Sequence, residues 1–110
     1  NQVELLNELV EKGFRIIITG IFAEQFNRDW LGREIHKETV TELVALQKRY
    51  GISPSGEGGE IETAVLDAPF FRKRIEIIES EKVMSRSSGV LEVKRARLAE
   101  KKEGIEPFRN

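Results

Sequence analysis

Residues 15–23, RIIITGIFA, constrain the fold more than any other stretch of the chain. The run is β-branched and apolar almost without a break, so a strand with one wet face would leave isoleucines in water. Such runs belong to strands covered on both faces, which predicts a central position in a parallel or mixed sheet. Upstream, Val3, Leu5, Leu6, Leu9 and Val10 recur at helical spacing, with Glu4, Asn7, Glu8, Glu11 and Lys12 on the other side. Gly13 followed by apolar Phe14 predicts a left-handed cap at the helix end. Helix, glycine and buried strand make half of an α/β unit.

Downstream the pattern changes. Asn27-Arg28-Asp29 is turn-like, with Asp29 placed to cap a short helical turn through 30–32. Over 35–50, Ile35, Val40, Leu43, Val44, Leu46 and Tyr50 share one arc of an amphipathic helix that Gly51 stops. Residues 51–59 hold four Gly, two Ser and a Pro, a loop by composition. A short strand over 63–66 is broken by Asp67-Ala68-Pro69. Two strand-like runs, 73–84 and 90–100, flank Ser85-Arg86-Ser87-Ser88-Gly89 and predict an antiparallel hairpin. Both runs change phase midway: Ile78 interrupts one, and the other switches between Val93 and Ala96. A β-bulge or twisted edge accounts for such slips. The fold class is α/β: helix, buried strand and helix, then a mostly antiparallel β segment with a hairpin.

At 110 residues the chain has room for one core. Hydrophobic residues at 39% and charged residues at 34% mark a folded, soluble domain, and the net charge of -1 argues against a general nucleic-acid or membrane-surface binder. There are no cysteines, so disulfides, thiol nucleophiles and thiolate metal sites are excluded. With one histidine, His36, no typical metal site is expected, and that residue reads as a helix-surface group. No run is long and apolar enough to span a bilayer as a helix, and a cytoplasmic location fits these features. The chain opens at Asn1 almost directly into a helical pattern, as a piece of a longer protein would.

The chemistry concentrates in residues 55–69, SGEGGEIETAVLDAP. Gly56, Gly58 and Gly59 allow positive φ and close approach of backbone to a ligand. Glu57, Glu60 and Glu62 place three carboxylates within six residues, a repulsive arrangement that becomes useful beside a cation. A metal ion, an ammonium or a methylated ammonium would each serve. A solvated acidic turn is the competing reading.

GEGGEIETAVLDAPFF resembles the glycine–glutamate signature of the diphthine–ammonia ligase family, with Ile61 where an aromatic is usual. Residues 20–35, GIFAEQFNRDWLGREI, are similar to that family's second signature, an Ala-Glu pair ahead of a Trp-Leu-Gly-Arg run. The two stand in the right order, joined by a helix of suitable length. The resemblance implies the C-terminal, substrate-side half of a two-domain ATP pyrophosphatase that completes diphthamide on elongation factor 2. There ATP and Mg²⁺ convert a carboxylate into an acyl-adenylate, and ammonia displaces AMP to form the amide. The family's Ser-Gly-Gly-Lys-Asp-Ser pyrophosphate loop has no counterpart in this sequence. Its phosphate-binding role would fall to an N-terminal nucleotide-binding domain, and this chain alone is expected to be inactive.

The resemblance gives Glu57 and Glu60 catalytic roles and makes Glu24, Arg33, Gly58, Gly59, Glu62 and Thr63 substrate-binding candidates. Arg33 suits a nucleotide or a carboxylate and equally suits a surface charge, while Trp30 and Leu31 read as core. Glu24 follows the buried strand, where open α/β sheets place their ligand crevice, with a solvated loop residue as the alternative. Asp67 reads as a structural turn residue, and the basic run 94–102 as a solvated face. Three other functions remain open: a related ATP pyrophosphatase for another carboxylate, a non-catalytic binding module, or a dimerisation domain in which the hairpin edge makes a homodimer.

Overall fold

A computed structural model of the chain describes residues 2–51 and 59–101. Helix α1 (Gln2–Glu11) leads into strand β1 (Arg15–Ile21), and a 3-10 turn at Arg28–Trp30 precedes helix α2 (Lys37–Tyr50). Strands β2 (Ile61–Asp67), β3 (Arg74–Met84) and β4 (Gly89–Ala99) complete one sheet of order β2-β1-β4-β3. The expected loop at 51–59 falls mostly outside the described residues.

The junctions form for local reasons. At the end of α1 the amide of Phe14 donates to the Leu9 carbonyl at 3.0 Å and that of Gly13 to the Val10 carbonyl at 3.1 Å. Gly13 has φ 91, so the paired bonds of a left-handed cap close the helix as its Gly-Phe sequence predicts. Before α2 the Thr39 hydroxyl accepts from the His36 amide at 3.1 Å and donates to the Glu34 carbonyl at 2.9 Å, which fixes the chain's entry. The 3-10 turn differs from expectation. Asn27, not Asp29, is its cap, accepting the Asp29 amide at 3.0 Å, because the amide oxygen standing two residues back reaches that N–H.

β1 lies inside the sheet and is covered on both faces, as its composition requires. All its neighbours are antiparallel, however, which corrects the parallel or mixed expectation. The cause is an extra reversal after β1. Residues 32–35 run back beside β1, with the Ile18 amide donating to the Arg33 carbonyl at 3.0 Å and the Ile35 amide to the Ile16 carbonyl at 2.8 Å. α2 therefore starts at the beginning of β1. Fourteen helical residues rise about 21 Å, close to the length of the seven-residue strand. The chain is thereby returned to the end of β1, where Ile61 pairs with Ile21 and β2 runs backwards.

A register shift between Ile18 and Gly20 lets Ile18 and Ile21 face the same side. With Ile16 they meet Leu6, Trp30, Val40 and Leu43 in the core beneath the two helices. Ile17 is buried on the opposite face. The hairpin carries both expected slips, between Ile77 and Glu79 and between Glu79 and Ser80, which absorb Ile78 and Lys94. Its outer charges pair across the strands: Arg97 Nε lies 2.5 Å from Glu76 and Arg95 Nε 3.5 Å from Glu79. Asp67 is held by Lys101, 2.9 Å from its Oδ1, and the same ammonium donates to the Ala68 carbonyl at 2.7 Å. The Asp-Ala-Pro turn is thus structural.

Arg15 and Glu34 clasp the returning segment to β1 with a bidentate pair, Nε at 3.1 Å and Nη2 at 3.0 Å. Hydrogen bonding from Arg15 holds the Glu34 carboxyl below the ordinary carboxylate range, against the opposing effect of partial burial. A carboxyl depressed in the folded state stabilises above its unfolded pKa, about 4.3, and that stabilisation disappears as pH falls through the folded value. Glu34→Gln should therefore cost on the order of 1 kcal/mol near neutral pH, discounted because Arg15 is partly solvated. The deficit should shrink toward zero in strong acid. Urea midpoints measured across the acid range check this, and a deficit independent of pH would remove the ionic assignment.

Candidate functional site

The signature residues meet where β1 ends and β2 begins. The amide of Phe22 donates to the Glu60 carbonyl at 2.8 Å, which extends the pairing one step beyond Ile21–Ile61. Gly59, with φ 85, sets the direction in which the chain enters β2, a conformation that favours glycine. Glu60 is half-buried there, whereas Glu62 is exposed. Glu24 is exposed in the turn leaving β1, a turn closed by the Phe26 amide on the Ala23 carbonyl at 3.1 Å. Glu24, Glu60 and Glu62 thus gather at one end of the sheet.

Glu62 pairs with Gly20, and the missing side chain of that glycine lets neighbouring side chains pack over its backbone. A Cβ at Gly20 would stand 2.7 Å from Phe22 Cε2 and 3.1 Å from Glu62 Oε1. The Phe22 ring and the Glu62 carboxylate therefore lie side by side over Gly20. Phe22 is 43% exposed, unusual for a phenylalanine at a strand end. Such a pairing suits an organic cation, whose charge meets both the carboxylate and the ring quadrupole. Phe22 is the site residue that pattern reading missed. The available signal was its i, i+2 relation to Gly20, which has force only once the register is known.

Two candidates stand apart. Thr63 pairs with Ile18, a core-side residue, so strand alternation turns it to the helix side, away from Glu62. Arg33 lies along the other edge of β1. Its guanidinium stacks 4.4 Å from the Trp30 ring centroid and forms an ion pair with Glu42 of α2. Trp30 is core, as expected, and meets Phe26 edge-on at 5.1 Å. Glu57 and Gly58 lie outside the described residues.

Among the described residues no three His, Asp or Glu side chains converge as metal ligands. Exposed carboxylates would also repel a triphosphate. What the arrangement can attract is positive charge.

The sequence profile of the diphthamide synthase C-terminal domain family matches residues 1–99. The chain belongs to this family. Relatives of the diphthamide synthase C-terminal domain include the diphthine–ammonia ligase of Schizosaccharomyces pombe, 40% identical over 89 residues, which cover 81% of this chain and 14% of that protein. The diphthine–ammonia ligase of Mus musculus is 37% identical over 100 residues, 90% of this chain and 37% of the relative. That of Homo sapiens is 36% identical over 89 residues, 80% of this chain and 33% of the relative. The chain therefore spans between 14% and 37% of the length of these relatives. No helix among the described residues is long and apolar enough to cross a membrane.

Proposed function

We propose that this domain is the acceptor side of a diphthine–ammonia ligase, forming an amide from a carboxylate carried on elongation factor 2. The observation that carries the reading is the strand end where Glu62 and the Phe22 ring meet over Gly20 and Glu60 is tied to Phe22 through the backbone, in the two segments that bear the family signatures. Ammonia at neutral pH is largely ammonium, and a carboxylate cluster attracts it and can take its proton. In the amide-forming step the nitrogen lone pair bonds to the activated carbonyl carbon, the leaving group departs with the C–O electron pair, and the surplus proton passes to Glu60. Glu57 acts with Glu60, Glu62 and Glu24 hold the cationic part of the substrate, and the backbone at Gly58 and Gly59 lets the acceptor approach. Arg33 braces Trp30 and α2 behind this wall. Thr63 contributes from the helix side. ATP and Mg²⁺ are bound mainly by an N-terminal nucleotide-binding domain outside this chain.

The test is made with the full-length protein. Elongation factor 2 carrying the unamidated residue, ¹⁵N-ammonium and MgATP are combined, and the modified peptide is weighed by mass spectrometry. Incorporation of one ¹⁵N per factor, dependent on ATP, is the expected result. Amidation of a different carboxylate substrate would shift the reading to a related ATP pyrophosphatase. Binding of the factor with no incorporation would make the domain a non-catalytic module.

A further inference from the structure

β4 pairs with β1 only at Gly20–Val90 and Ile21–Gly89, because residues 32–35 occupy the rest of that β1 edge. The hairpin is therefore free to curl, and its outer strand β3 approaches β2 at the opposite end of the sheet order. Between them, on the face that the helices leave bare, lies a cleft of about 520 Å³. Ile17, Leu66 and Leu91 contribute an apolar floor.

The charges lining this cleft do not balance. Arg15 and Glu34 satisfy each other at 3.0 and 3.1 Å. Glu76 takes Arg97 at 2.5 Å and Arg74 at 3.9 Å, and Arg74 also donates to the Glu100 carbonyl at 3.1 Å. Lys82 remains. It is half-buried and lines the cleft, yet among the described residues it has no ion pair or hydrogen bond. The acidic residues adjoining it in the hairpin, Glu81 and Glu92, are both served by Lys94, at 3.7 and 2.5 Å. Ser80, two residues away on the same strand face, adds a hydroxyl to the lining. A half-buried ammonium with no counter-ion among the described residues is open to an anionic partner.

The structure assigns this cleft as a second binding site, for a carboxylate with a short apolar body. The Lys82 ammonium and Ser80 hydroxyl hold the carboxylate, and the isoleucine–leucine floor takes the hydrocarbon. It shares no residue with the Glu24–Glu60–Glu62 strand end and is independent of the amidation reading.

Amide ¹H–¹⁵N spectra of the 110-residue chain, titrated with butyrate and with the uncharged butyramide, test it. Butyrate should shift the signals of Ile17, Lys82 and Leu91, and butyramide should leave them in place. Lys82→Gln should weaken butyrate at least about tenfold, while Lys82→Arg keeps the affinity within about threefold. Lys94→Gln, on the ladder outside the cleft, should bind as the wild type does. Thermal midpoints of the variants show that the fold is intact, and a Lys82→Gln midpoint equal to or above wild type fits an unpartnered charge. Equal responses to acid and amide, undiminished butyrate binding in Lys82→Gln, or no shift at these three residues would each overturn the assignment. Inorganic phosphate binding as tightly as butyrate, without moving Ile17 and Leu91, would overturn the role of the apolar floor.

Discussion

If the proposed function holds, Glu60→Gln in the full-length protein should lower the rate of amide formation by about 100-fold or more, the range expected for loss of a positioned general base. Glutamine keeps the size and the dipole of the side chain and removes only its charge and basicity. The backbone of Glu60 is held to β1 by the 2.8 Å bond from Phe22, as that of Glu62 is by pairing with Gly20, and Glu60 is less exposed than Glu24 or Glu62. A fixed, half-buried carboxylate suits proton transfer, whereas an exposed one suits steering. The loss should therefore fall on kcat, with affinity for elongation factor 2 within about threefold of wild type. Glu62→Gln should do the reverse, raising KM for the modified factor with a smaller effect on kcat. Single-turnover rates with ¹⁵N-ammonium, alongside thermal midpoints, separate the two. A wild-type rate for Glu60→Gln would remove the general base from this position.

Much of the architecture was legible because local rules act within a few residues. The Gly13-Phe14 pair specifies the cap that closes α1, with its two backbone bonds at 3.0 and 3.1 Å. The phase changes at Ile78 and between Val93 and Ala96 mark the bulges of the hairpin. The covering of β1 on both faces follows from its composition. Strand direction was not legible, since apolar content reports burial and says nothing of how neighbours run. The four residues 32–35, too short to read as a strand, reverse the chain and turn an α/β unit into an antiparallel sheet. The bulge near Thr19 escaped notice for a related reason: a run that is apolar throughout shows no break in alternation.

The site divides in the same way. Clustered glutamates and a positive-φ glycine are visible in sequence, and their gathering at one sheet end with Glu24 follows from the Ile21–Ile61 pairing. Phe22 becomes a candidate site residue only through its packing with Glu62 over Gly20, a property of register. Arg33 makes contacts that its motif does not announce. The stacking on Trp30 and the pair with Glu42 give that arginine a packing role that its sequence neighbours alone do not reveal.

The largest effect on stability is expected at Leu43→Ala. Leu43 is fully buried at the centre of α2, within the same cluster as Leu6 of α1, Ile18 and Ile21 of β1, and Trp30. Removing a buried leucine loses transfer free energy and leaves a cavity, at a cost of about 2–5 kcal/mol, and the upper part of that range applies where neighbours cannot collapse inward. Here they cannot: Ile18 and Ile21 are fixed by strand pairing on one side, and the Trp30 ring is held by Phe26 and Arg33 on the other. A loss of about 4 kcal/mol would consume a large part of the 5–15 kcal/mol typical of a small domain. Leu98→Ala, a truncation of equal size at a residue 68% exposed on the hairpin, should change stability by less than about 0.5 kcal/mol. Urea unfolding of both variants, with m-values unchanged, isolates burial from composition. Similar costs at the two positions would mean that the helix layer does not carry the core. The wall behind Glu60 would then lack the rigid support that proton transfer to a fixed carboxylate requires.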